Sequence, residues 1–217
     1  MKRFLFVAGL GQAAPKATPA KPAAKAPPAK TTPPAKAAES NTASAEAKAI
    51  QAIEKLGGSV RKVAQNDDRQ EVDFHLAADI TDEALNYLVP ISKLIYLHLG
   101  KTKVTDAGLA KLKGLTQLET LHLEQTAITD AGLAHLKDLK ALTYLNLYGT
   151  AITDKGLEHL KGLTNLKNLY LWQTKVTKQG VENLKKALPN ASIDTGWNLA
   201  DIQPPPKPEE KKEEKKP

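Results

Sequence analysis

Residues 94–117 read LIYLHLGKTKVTDAGLAKLKGLTQ, and the chain repeats this pattern three more times, from Leu118, Leu142 and Leu166, at a constant period of 24 residues. The copies are LETLHLEQTAITDAGLAHLKDLKA, LTYLNLYGTAITDKGLEHLKGLTN and LKNLYLWQTKVTKQGVENLKKALP. Self-similarity at a short fixed period marks a stacked repeat architecture. Inside a block, Leu97 and Leu99 alternate with Tyr96 and His98, the period of a half-buried strand. Leu109, Leu112 and Leu115 then recur at spacing three, which suits one face of a short helix. Thr105 and Asp106 stand where they cap that helix, and Gly114 stands at its end. One strand and one short helix cannot bury a leucine wedge between them alone, so the units stack into a continuous core.

The common pattern is L-x-x-L-x-L-x-x-T-x-[IV]-T-[DK]-x-G-[LV]-x-x-L. It resembles the leucine-rich-repeat family, in the bacterial version that carries Thr at the turn position usually held by Asn or Cys. The resemblance spans residues 94–189 in full repeats. It implies an α/β fold: a leucine-rich-repeat solenoid forming a short right-handed horseshoe arc, with parallel strands on the concave face and short helices on the convex face. It also implies protein binding rather than catalysis. Thr102, Thr126, Thr150 and Thr174 share one column at the bend after the strand, where their hydroxyls suit a structural ladder to turn groups. Gly108, Gly132, Gly156 and Gly180 form a second column that reads as a packing or backbone requirement.

The flanks divide the rest of the chain. Residues 1–13 carry Lys2 and Arg3, the apolar run Phe4 to Leu10, and small residues after it, the order of a short signal peptide. Residues 14–43 are built from Ala, Pro and Lys and read as a disordered spacer. Residues 44–93 contain an N-terminal cap, a helix with Ile50, Ile53 and Leu56 on one face and then a hairpin turning at Asn66-Asp67-Asp68, followed by a degenerate first repeat. In that repeat Phe74 to Ile80 departs from the common spacing by one residue, so its strand register is open. Residues 190–203 offer a cap strand around Ile193, with Trp197 placed to cover the end of the core, and residues 204–217 are a charged, Pro-rich tail read as disordered.

The formal charge of +7 belongs to these flanks: residues 1–43 hold seven Lys or Arg against one Glu, and residues 204–217 hold five Lys against four Glu. The middle of the chain is neutral, which argues against specific nucleic-acid binding. The basic spacer suits an anionic cell-envelope polymer or simple solvation. Without cysteine there is no disulfide or thiol chemistry. These features lead us to expect an exported protein, periplasmic or extracellular, with a cytoplasmic location as the alternative. It is expected to be monomeric, with no transmembrane span and no cofactor.

Enzyme motifs are lacking: there is no phosphate loop, nucleophile elbow or zinc-ligand spacing. The residues between the strand leucines point to the concave side and name the candidate site. They are Tyr96, Tyr144 and Asn146; His98, His122 and Glu124; and Tyr148, Tyr170 and Trp172. Tyr and Trp dominate interface hot spots, and here they gather on the last two full repeats. β-propensity is the competing explanation for exposed strand aromatics. Tyr148 and Trp172, in one column on adjacent strands, are expected in ring contact. The leading reading is a non-catalytic protein-binding module using this aromatic concave face. A glycan or cell-wall binder, with Tyr148 and Trp172 stacking on sugars, is the alternative. A metal-dependent enzyme at His98, His122 and Glu124 is the second alternative, since two His and a carboxylate suit a transition metal. His135 and His159 fall on the helical side and receive no role.

Overall fold

The structure, a computed structural model, describes residues 35–75, 77 and 79–196. The expected signal peptide, most of the spacer, Trp197 and the charged tail lie outside the described residues. Seven strands form one sheet in sequence order: β1 (Ser59–Ala64), β2 (Asp67–Asp73), β3 (Leu94–His98), β4 (Thr120–His122), β5 (Tyr144–Asn146), β6 (Asn168–Tyr170) and β7 (Ser192–Asp194). From β2 onward every neighbour is parallel, and the register repeats: Leu97 opposite Leu121, Leu145, Leu169 and Ile193 in turn. Each crossover carries a short helical piece: a 3-10 turn at Asp82–Leu88, α2 (Asp106–Leu109) running into a 3-10 turn at Ala110–Gly114, α3 (Asp130–Leu133), α4 (Asp154–Leu160) and α5 (Lys178–Ala187). The strand leucines Leu97, Leu121, Leu145 and Leu169 and the helix leucines Leu109, Leu133 and Leu160 are buried together in one core. The expected final strand at Ile193 is present, pairing with β6.

Two corrections concern the N-terminal cap. The helix α1 (Ala35–Lys55) starts nine residues before Ser44, inside the stretch read as spacer. The last proline before it is Pro34, and beyond that point the Ala-rich sequence has high helix propensity and no residue that interrupts it. Its buried stripe also differs from expectation. Ala49 and Ile53 are buried and Ile50 is partly buried, but Leu56 is 42% exposed because the helix ends there before Gly57 turns the chain away at positive φ. The expected hairpin forms, and β1 is the one antiparallel strand of the sheet. It covers the first repeat strand, with Val60 opposite Val72, and presents Arg61 and Lys62 on an edge that would otherwise invite pairing. The irregular spacing after Phe74 is absorbed by a shift between Gln70 and Glu71, so that Val72 meets Leu97 and Asp73 meets His98.

The threonine column does what its residue type allows. Thr102, Thr126, Thr150 and Thr174 each donate a hydroxyl to the carbonyl three residues back, those of Leu99, Leu123, Leu147 and Leu171, at 2.6–2.7 Å. The residue before each Thr sits in the left-handed region: Lys101, Gln125, Gly149 and Gln173 have φ of 60°, 54°, 68° and 53°. Only Gly149 signals this in the sequence.

A stronger ladder runs through the helix starts. Asp82 accepts the Thr105 N–H at 2.7 Å and the Thr105 hydroxyl at 2.6 Å. Asp106, Asp130 and Asp154 hold Thr129, Thr153 and Thr177 of the following repeat in the same two-pronged way. Each Thr hydroxyl also accepts a backbone N–H of its own helix, so one side chain caps the helix and ties it to the repeat before. The glycine column explains itself here. A Cβ at Gly108, Gly132, Gly156 or Gly180 would collide with the carboxylate of Asp82, Asp106, Asp130 or Asp154.

This lock generates a double-mutant cycle. Gly156→Ala is expected to destabilise by about 1–3 kcal/mol through the forced contact with Asp130. Combined with Asp130→Ala, it should cost less than the sum of the two single changes, by about 0.5 kcal/mol or more, in urea melts. Additive costs would show that the glycine answers some other constraint.

Candidate functional site

The side chains between the strand leucines do reach the concave face, in two groups. The first lies on β3 and β4. His98 and His122 are cross-strand neighbours whose rings stack with centroids 4.6 Å apart and planes 13° apart. Glu124 leans between them, with Oε1 3.1 Å from His98 Nε2 and Oε2 3.4 Å from His122 Nδ1. Gly100 makes the room, because a Cβ there would sit 2.5 Å from the Glu124 carboxylate oxygen. Burial raises the Glu124 pKa. The adjacent His122 and His98 imidazoles and its own backbone amide lower it by more, so the carboxyl is held well below its ordinary range and stays ionised.

The sequence reading missed two members of this group. Asp73 places an oxygen 3.9 Å from His98 Nδ1, and the His75 ring meets His98 edge-on at 5.2 Å. The extra residue after Phe74 hid them, since it shifts β2 by one place against the common repeat and only the observed pairing of Asp73 with His98 reveals the alignment.

The second group lies on β5 and β6 and the bends after them. Tyr144, Asn146, Tyr148, Tyr170, Trp172 and Gln173 line an open concavity of about 590 Å³. A row of rings links the two groups: Tyr96 and Tyr144 flank His122 at 5.4 and 4.8 Å, and Tyr170 follows Tyr144 at 5.4 Å. Burial, then the neighbouring Tyr170 and Glu124, raise the Tyr144 pKa, so its hydroxyl remains a donor. The expected pairing of Tyr148 with Trp172 is not among these ring contacts. Trp172 instead donates its indole N–H to Asp194 on β7 at 2.6 Å, and Gly196, at φ 68°, packs so closely that a Cβ there would overlap the indole. Trp172 nevertheless remains 41% exposed, more than any of the site tyrosines, which are all half-buried. His159 faces solvent as expected, and His135 is half-buried, neither near the concave face columns.

A sheet that is parallel from β2 onward, with one short helical crossover per 24 residues and a Thr at each bend, is a repeat solenoid. Residues 116–176 match the family model described as leucine rich repeat, and the described domain has the fold of an α/β leucine-rich-repeat solenoid. No curated protein matches the sequence. Among solved structures it is similar to the internalin inlF of Listeria monocytogenes, with a TM-score of 0.46 and 27% identity over 52% of this chain and 32% of that one. It is also similar to the leucine-rich-repeat ectodomain of the receptor kinase SOBIR1 from Arabidopsis thaliana, with a TM-score of 0.42 and 19% identity over 70% of this chain and 91% of that one. The chain thus spans about a third of the internalin's length. Among the described residues no helix is long and apolar enough to cross a membrane.

Gly100→Ala tests how the first group is assembled. The added methyl should displace the Glu124 carboxylate and break its approach to His98, moving the His98 ring resonances in NMR spectra while those of His135 and His159 stay in place. An unmoved His98 would mean that Glu124 is not held by that gap.

Proposed function

We propose that this protein is a non-catalytic binding module that engages a protein partner through its concave face, with the aromatic concavity of β5 and β6 as the energetic centre. The observation that carries this reading is the concavity itself. Four aromatic side chains from two adjacent repeats, Tyr144, Tyr148, Tyr170 and Trp172, surround one open hollow together with Asn146 and Gln173. Aromatic rings of this kind bury large area at low entropic cost, and polar neighbours supply orientation. The hollow is open along the sheet, which suits an extended segment or a protruding side chain of a macromolecule better than an enclosed metabolite. Tyr96, His98, His122 and Glu124 extend the contact surface toward the N-terminal repeats. Export, with the Ala/Pro/Lys-rich stretch as a tether, completes the proposal and rests on Lys2, Arg3 and the apolar run that follows.

Changing Tyr148 and Trp172 together to Ala is expected to weaken partner binding by at least about 2 kcal/mol, roughly thirtyfold. Asp194→Asn separates this from a structural role of the indole, because it alters the Trp172 hydrogen bond and leaves the ring in place. It should bind nearly as the parent does. A folded double mutant with unchanged affinity would move the site elsewhere. For export, fractionation of the native cells followed by N-terminal sequencing should find the chain outside the cytoplasm and shortened near Ala13. Intact protein confined to the cytosol would refute that part.

A further inference from the structure

We propose that His98, His122 and Glu124 form a binding site for one divalent transition-metal ion, of the zinc type, on the concave face. The proposal is independent of the aromatic concavity and requires no catalysis. One donor atom from each residue lies within 4.8 Å of the other two. The Glu124 carboxylate reaches both rings, one oxygen 3.1 Å from His98 Nε2 and the other 3.4 Å from His122 Nδ1, so a single ion at the carboxylate lies within reach of both imidazoles. Two imidazoles and a carboxylate are borderline ligands that favour Zn2+, Co2+, Ni2+ or Cu2+ over Mg2+ and Ca2+.

Two further features point to a cation. First, His122 Nδ1 and Glu124 Oε2 are buried atoms that lack a hydrogen-bond partner although they face one another. Buried polar atoms left in this state are costly, and an ion between them satisfies both. Second, the three side chains are only 13–16% exposed, yet they sit on an open sheet face, so the ion keeps a free coordination position toward the concave side. Binding requires the two stacked imidazoles to tilt so that their lone pairs converge on one ion, and His98 to move its proton from Nε2 to Nδ1, releasing the Gly100 amide that donates to Nδ1 at 3.3 Å. Glu124 brings the one carboxylate of the set.

Calorimetric titration of the full chain, without a polyhistidine tag, with Zn2+ at neutral pH tests this. One ion per chain with a Kd of about 10 μM or tighter is the expected result. Co2+ should produce visible absorption bands of the intensity that four-coordinate cobalt gives, and Zn2+ should bleach them. His122→Ala and the near-isosteric Glu124→Gln should each weaken Zn2+ binding by at least about tenfold. His135→Ala and His159→Ala should change nothing. If His122→Ala proves poorly folded by circular dichroism, Glu124→Gln alone decides. Absence of saturable Zn2+ binding, or binding that Glu124→Gln leaves intact, overturns the proposal.

Discussion

Four successive repeats are each fastened to the one before by a carboxylate that grips both the amide and the hydroxyl of a threonine. Asp82, Asp106, Asp130 and Asp154 hold Thr105, Thr129, Thr153 and Thr177 in this way. The leucine core alone is apolar and non-directional, so it tolerates sliding between neighbouring units. The two-pronged bond does not. It fixes the position of each helix start, which fixes the crossover, which sets the strand register that lines up the concave columns. The glycine four residues before each helix's innermost leucine turn, such as Gly132 against Asp106, is the vacancy that lets the carboxylate in. Core, register and site therefore share one polar constraint.

Much of this was legible from the amino-acid sequence, for a physical reason. A side-chain period of two and a helical spacing of three leave unmistakable marks when they recur every 24 residues, so the strands, the leucine core and the threonine turn ladder could be read directly. The T-D-x-G string was equally visible, but its meaning was not. Thr and Asp at a helix start are sufficient as a local cap, and nothing in one sequence says that the carboxylate reaches 23 residues onward instead. The left-handed bend at Lys101, Gln125 and Gln173 was likewise hidden, because long polar residues there are indifferent to the conformation they are held in. The early start of α1 escaped because alanine and lysine serve a solvated spacer and a helix equally well.

The site was legible to a similar depth. Alternation along the strands placed Tyr96, His98, His122, Glu124, Tyr144, Asn146, Tyr148, Tyr170 and Trp172 on one face, and geometry then divided them. The early repeats contribute titratable and charged groups drawn together by the gap at Gly100, whereas the late repeats contribute rings around an open hollow. Trp172 belongs to both the surface and the fold, since its indole is bonded to Asp194 of the closing strand. Asp73 and His75 joined the first group only once the shifted register of β2 was seen.

The fastening between repeats also has a direction. Each threonine looks backward to an aspartate that precedes it by about one repeat, Thr81 at the start has no side-chain cap bond, and Lys178 stands where a fifth aspartate would offer itself to a further unit. A chain made on a ribosome appears from its N-terminus, so at every stage the newest repeat meets an acceptor that is already in place. Assembly can thus follow synthesis one unit at a time, each new helix start docking on an aspartate already in place. At Lys178 this series of aspartate acceptors stops, and the closing strand β7 is held by sheet pairing instead.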